Sequence, residues 1–392
     1  MAKNKYLSII NVGDIMLADC ALRGMPNKYL LSQKIKTSSK QIAANIIDFF
    51  NDVDLRFGNL ETPLSSKADN VNGSNFLLGS SKGLNVLKDL KFDILTLANN
   101  HILEHGYEIA KETQSLLKEN NIRFCYSPEH NNDFQIVKKN GIKIGFIGYG
   151  LRPAFNFLNS YDLDLAERNI AFKVKRLDKI KHDSLIDYFS SNNILPLIKT
   201  IKRVKSLANI IILGLHWGYM NTSVPSLLQI KTAHKLIDEG VDVIIGSHPH
   251  HIQPIEVYKG KLIAYSLGNF IFDMWRTVNR ESLVIKLMID RDLNVTHALF
   301  KSKLCQNYLI KLKKINYHPV SIRLSNDEVI QLLMLEGQKF DKKKIELINS
   351  PKKYWRYCLK VRKNISIGSI YDFIKSDLPL SFKLNLFIRK MK

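Results

Sequence analysis

From residue 6 to about residue 300, short runs of β-branched and other apolar residues give way to small or polar clusters, then to stretches with apolar positions at helical spacing. That succession predicts strand, loop and helix in turn, the pattern of an α/β domain. Eight runs read as strands: YLSIINV (6–12), VDLRFGN (53–59), FDILTLA (92–98), IKIGFIGY (142–149), NIIILGLH (209–216), VDVIIG (241–246), LIAYSL (262–267) and SLVIKLMI (282–289). Helices are expected through KQIAANIIDFF (40–50), YEIAKETQSLLKEN (107–120) and PSLLQIKTAHKLIDEG (225–240). In the last of these, Pro225 suits a first helical position and Gly240 a stop. Residues 150–205 are polar, basic and weakly patterned, which predicts an insertion or lid closed by a helix near 196–207.

Beyond residue 300 the pattern changes. SNDEVIQLL places Ser325 and Glu328 at capping-box spacing, which predicts a helix start. PKKYWRYCLKVRK gathers Tyr354, Trp355, Cys358 and Leu359 on one helical face, with Lys352, Lys353, Arg356, Lys360 and Lys363 largely around the other. The expected organisation is an α/β domain over 6–300 and a basic, mainly helical extension over 301–392.

Composition narrows the class. A chain of 392 residues, 45% hydrophobic, can bury a large core without disulfides or metal staples. Cys20, Cys125, Cys305 and Cys358 include no C-x-x-C pair, so neither a zinc ribbon nor a disulfide framework is suggested, and a reducing compartment fits. The apolar run of MAKNKYLSIINVGDIML is short and broken by Asn11 and Asp14, against a signal peptide. The stretch 206–230 lacks Asp, Glu, Lys and Arg but contains His216, Asn221 and Pro225, against a membrane-spanning helix.

Charge is uneven. The 58 basic and 36 acidic residues give +22, and residues 301–392 hold 21 of the basic against 7 of the acidic ones. Such a segment either concentrates an anionic partner (nucleic acid, phospholipid headgroups or an acidic polymer) or serves as a solubilising surface.

The polar residues that stand out occur where apolar strands stop, which is where open α/β sheets bind ligands. They are Asp14 in VGDIML, Asn59 and Glu61 in FGNLETP, Asn99, Asn100 and His101 in LANNHILEHG, His216 in LGLHWG, and His248 and His250 in GSHPHH. Each has an ordinary reading when taken singly: Asp14 as a helix cap, Asn59 and Glu61 as a turn before Pro63, Asn99 and Asn100 as turn residues, His216 as a core histidine. Alternate residues of an extended chain point the same way, so His248 and His250 can converge while His251 faces elsewhere. Carboxylate, amide oxygen and imidazole without thiolate suit manganese, iron or zinc.

Taken together, GDIML (13–17), NLETPL (59–64), LANNHILEHG (97–106), HWG (216–218), GSHPHHIQPIE (246–256) and YSLGNFIFD (265–273) resemble the motifs of the CapA family. These are the poly-γ-glutamate capsule biosynthesis proteins, whose domain is similar to metal-dependent calcineurin-like phosphoesterases. The resemblance implies a sandwich of two mixed sheets flanked by helices, with two divalent metal ions at the strand ends. It assigns Asp14 and His250 to the first ion, Asn100, His216 and His248 to the second, and Glu61, helped by Asn59, to a position bridging both. His101 becomes the general acid or the donor to the departing oxygen. YSLGNFIFD, a strand followed by Gly268 and Asn269, is expected to bring backbone close to the metal cleft, with Asn269 at most a substrate contact, and Asn99 is a further candidate for substrate binding.

Three positions depart from the related patterns. Asp14-Ile15-Met16 lacks the imidazole of an Asp-x-His motif, Glu104 stands where the family has aspartate, and Met220 replaces a glutamate two residues after HWG. The implied function is cell-envelope polymer synthesis with hydrolysis of a phosphoester or related bond. A non-catalytic metal-binding subunit of a membrane polymer synthase is the alternative, and a metal-dependent nuclease comes third. The expected partners are an anionic polymer or phosphorylated precursor and capsule-synthesis membrane proteins. The expected location is cytoplasmic, with peripheral contact at the inner membrane face through residues 351–392.

Overall fold

The computed structural model of the chain describes residues 6–20, 30–72, 77–126, 134–151, 194–274, 277–305, 308–309, 312–323 and 329–335. All eight expected strands form, as Leu7–Ile15, Leu55–Leu60, Ile94–Thr96, Ile142–Leu151, Ile210–Trp217, Val243–Ser247, Lys261–Ala264 and Glu281–Ile289.

They divide between two mixed sheets. In the first, Leu7–Ile15 is central, parallel to Leu55–Leu60 on one side and antiparallel to Glu281–Ile289 on the other. Ile94–Thr96 and Arg123–Cys125 continue it in parallel, and Val295–Cys305 closes the opposite side. In the second sheet, Ile142–Leu151, Ile210–Trp217, Val243–Ser247 and Lys261–Ala264 run parallel, with Phe134–Lys139 and Ile255–Tyr258 as antiparallel neighbours.

Side-chain alternation explains how the sheets stack. Leu7, Ile9, Leu55, Phe57 and Ile94 from the first sheet meet Phe146, Ile210, Ile212, Val243 and Ile245 from the second in a shared buried core. The residues between them point outward. Ile10, Val12 and Leu60 pack under helices Leu31–Ala43, Gly83–Asp89 and Tyr107–Glu119. Ile211, Leu213 and Leu215 pack under Leu195–Lys205 and Leu227–Asp238. The result is four layers, helix, sheet, sheet, helix, in the arrangement expected of a two-sheet sandwich.

Several sequence expectations are corrected in detail. Pro225 is not the first helical residue. Ser226 is the N-cap, its Oγ accepting from Gln229 N while the Gln229 side chain accepts from Ser226 N, so the proline stands outside the helix. The helix expected over 40–50 begins at Leu31 and is broken after Ala43 into a 3-10 turn, Ala44–Ile46, and a short helix, Ile47–Asn51.

The helix expected after Ser325 is replaced by strand Val329–Leu335, antiparallel to Tyr317–Arg323 and to Ile255–Tyr258. VIQLLML is a nearly continuous apolar run that fits either period. The open edge of Ile255–Tyr258 supplies backbone hydrogen bonds that favour the strand. Ser325, Glu328 and residues 336–392, including the expected basic helix at 351–363, lie outside the described residues, as does most of the expected lid, 152–193. Among the described residues no helix is long and apolar enough to cross a membrane.

Candidate metal centre

The rows of residues between the sheets turn polar at the carboxyl ends of the strands. Leu55 and Phe57 are followed on the same face by Asn59, and Ile210 and Ile212 by Gly214 and His216. Gly214 has no side chain because Phe57 fills its space: a Cβ there would lie 2.8 Å from Phe57 Cζ.

Asp14 reaches this face by another route. In Leu7–Ile15 the inward row is Leu7 and Ile9, so plain alternation would turn residue 14 outward. A register shift between Asn11 and Asp14 reverses the alternation. The backbone of Asp14 is then pinned by its N–H to Gly268 O at 3.0 Å. Its carboxylate accepts from Asn59 Nδ2 at 2.7 Å and from His248 N at 3.1 Å.

His248 and His250 are not in extended chain. Their φ values of 94° and 55° place both in the left-handed region, an uncommon conformation for residues with side chains. The two rings therefore do not project in parallel from a strand. Their centroids are 6.0 Å apart, and each faces a different group of ligands.

Around His216 Nε2 stand Asn100 Oδ1 at 2.7 Å, His248 Nδ1 at 3.0 Å and Glu61 Oε1 at 3.6 Å. On the other side of Glu61, His250 Nε2 lies 4.0 Å from the same Oε1 and His250 Nδ1 lies 3.5 Å from Asp14 Oδ2. Among the described residues, ligand atoms fall within 4.8 Å of one another in two groups of three, Glu61–His216–His248 and Asp14–Glu61–His250. The groups share Glu61.

The donor set fits metal ions. Asp14 and Glu61 have no exposed surface, and His216, His248 and His250 are buried beside them. Carboxylates are costly to bury without compensating positive charge, and imidazole with carboxylate is a borderline donor set that takes first-row divalent cations.

His101 stands at the edge of the cluster. Its Nδ1 is 2.5 Å from Glu104 Oε2 and its Nε2 is 3.7 Å from Glu61 Oε1. An ionised carboxylate can only accept, so Nδ1 is the donor and the other nitrogen faces the cluster. Glu104, the residue that departs from the family's aspartate, makes this contact here.

Asn99 and Asn269, the expected substrate contacts, are both buried. Asn99 is engaged with the protein: its Nδ2 donates to Asn59 Oδ1 and Leu60 O, and its Oδ1 accepts from the N–H groups of His101 and Ile102. Asn269 lies with its Oδ1 against His250 Nδ1 at 2.8 Å. Asn59 sits among the ligands, with its Nδ2 on Asp14 and 3.3 Å from His216 Nδ1. Among the described residues, His251 is in neither group. Met220 lies on the surface, 41% exposed.

Ser247 was not anticipated. Its Oγ is 3.0 Å from His216 Nδ1, and its place between Gly246 and His248 in GSHPHH was the available signal.

The family of bacterial capsule synthesis proteins, PGA_cap, matches residues 8–274. The PGA biosynthesis protein CapA of Bacillus subtilis (strain 168) is 27% identical over 73% of this chain and 68% of its own. The capsule biosynthesis protein CapA of Bacillus anthracis is 25% identical over 72% and 64%. The chain thus spans about two thirds of the length of these relatives. Among solved structures, a phosphatase from Mycoplasma pneumoniae aligns with 87% of this chain and 99% of its own, at 13% identity and a TM-score of 0.38, a distant likeness.

Proposed function

The chain belongs to the PGA_cap family of bacterial capsule synthesis proteins, and on that premise we propose that it is a metal-dependent hydrolase of cell-envelope polymer synthesis, cleaving a phosphoester or related bond at a dinuclear centre. The observation that carries this reading is the sharing of buried Glu61 by two ligand groups. Asp14 and His250 would hold one ion, Asn100, His216 and His248 the other, and Glu61 both. When bound, two divalent cations, manganese, iron or zinc, supply Lewis acidity that activates water and offsets charge on a phosphoryl group.

The chain's own residues supply the rest. Asn59 holds the Asp14 carboxylate through its amide N–H. His101, with Nδ1 donating to Glu104, has Nε2 beside Asn100 Nδ2 and towards Glu61; as the imidazolium it would carry a second proton on Nε2 and give that one to the departing oxygen. An acidic polymer or a phosphorylated precursor is the proposed substrate class. The excess of basic residues over 301–392 supports a peripheral contact with an anionic membrane face.

Manganese-loaded protein assayed on a generic aryl phosphate beside His101→Ala tests the reaction. Loss of about 10²–10⁴-fold in kcat in the variant, with manganese still bound, is the expected result. Metal retained in both proteins with no difference in rate would contradict the hydrolase and favour a non-catalytic metal-binding subunit.

A further inference from the structure

On the Nδ1 side of His250, beside Asp14, three buried hydrogen bonds close a ring. His250 Nδ1 meets Asn269 Oδ1 at 2.8 Å, Asn269 Nδ2 donates to Asn279 O at 2.9 Å, and Asn279 Nδ2 donates to His250 O at 3.0 Å. Asn269 and Asn279 are each 1% exposed. Phe272 closes the pocket with its ring edge-on to the imidazole, centroids 5.1 Å apart.

We infer that Asn279 is a positioning residue for His250: its backbone carbonyl, through Asn269, fixes the proton on Nδ1 and leaves Nε2 bare towards Glu61, while its side chain holds the His250 loop in place. A backbone carbonyl only accepts, so the end of the Asn269 amide that faces Asn279 must be the nitrogen. The oxygen of that amide then faces the imidazole, and because it too only accepts, Nδ1 must carry the hydrogen. Nε2, on the cluster side, keeps its lone pair, which is the form a metal ligand requires.

The side chain of Asn279 holds the same loop from the backbone side. His250 is kept at a φ of 55° by a bond to its own carbonyl. The turn carrying Asn279, Thr277–Arg280, is anchored by the strand that follows it, where Leu283 N donates to Leu267 O at 2.8 Å. Asn279 Nδ2 also lies 3.5 Å from Asn221 Oδ1, and Asn221 N donates to Pro249 O at 2.8 Å, so the adjacent carbonyls of Pro249 and His250 are held by Asn221 and Asn279.

The consequence for metal binding rests on the reading of Asp14–Glu61–His250 as a metal group; the consequence for the imidazole does not. Two measurements on the full chain separate them. In metal-free protein, nitrogen-15 NMR of the histidine rings is expected to show His250 as the Nδ1–H tautomer; an Nε2–H ring would overturn the inference whether or not metal binds.

In manganese titrations, Asn279→Asp keeps the side-chain size but removes the N–H donors. It is expected to weaken one bound equivalent by about 10–100-fold and leave the other unchanged. Equal affinity of both equivalents in Asn279→Asp and the wild type would overturn the positioning role. So would loss of both together, which would make Asn279 a residue of the fold. Wild-type protein that takes no manganese would sink the metal reading and leave the NMR result to decide the tautomer.

Discussion

The precision of the site depends on single residues whose importance is steric. Gly13 is the sharpest case: a Cβ on it would lie 2.0 Å from Gly268 O, the carbonyl that accepts from Asp14 N. The glycine therefore permits the irregularity that turns Asp14 inward. Gly13→Ala is expected to cost about 1–3 kcal/mol of stability as the strands move apart, read from the denaturant midpoint, and to lose manganese bound at Asp14. An unchanged midpoint with full metal content would contradict this account. The sequence marked Asp14, Glu61, Asn100, His216, His248 and His250 as candidates through their places at strand ends. It could not give the conformations that bring them together, because the register shift at Asp14 and the positive φ of His248 and His250 go with contacts between residues distant in the chain: Gly268 with Asp14, Asp14 with His248, and Asn279 with His250.

At the scale of elements, strands were the more readable part, since alternation both predicts a strand and says which face it buries. Helix limits were less so: Ser226 displaced Pro225 because its side chain completes a capping box. Val329–Leu335 became a strand because an edge was available to it. A buried polar link then joins helix Leu227–Asp238 to the second sheet. His234 Nε2 lies 2.8 Å from Glu256 Oε1, and Tyr265 OH donates to Glu256 Oε2 at 2.6 Å. Burial, reinforced by the Glu256 charge and the hydrogen bond to it, raises the Tyr265 phenol well above its ordinary 10.0. Because the folded value lies above the unfolded one, this stabilising contribution is complete below pH 10.0 and is lost as pH rises beyond it. Urea denaturation between about pH 8 and pH 11 should show wild-type stability falling more steeply than that of Tyr265→Phe, which starts about 0.5–1.5 kcal/mol lower. Parallel pH profiles would show that the phenol is not linked to folding.

For the whole molecule, the sandwich does what no single segment can. It brings the ends of Leu7–Ile15, Leu55–Leu60, Ile210–Trp217 and Val243–Ser247, and the loop after Ile94–Thr96, to one edge of the shared core. Fold class and the candidate site were readable together because the same strand ends define both. The basic excess over 301–392 was readable only as charge, since charge specifies the sign of a partner and not its identity. The central claim is that Glu61 holds two cations at once. Metal analysis of purified, manganese-loaded protein with stoichiometry, beside Glu61→Gln, tests it most directly. About two equivalents per chain in the wild type, with both weakened in the variant, is the expected result. A wild type that takes one ion or none, or a variant that keeps two at unchanged affinity, would contradict it.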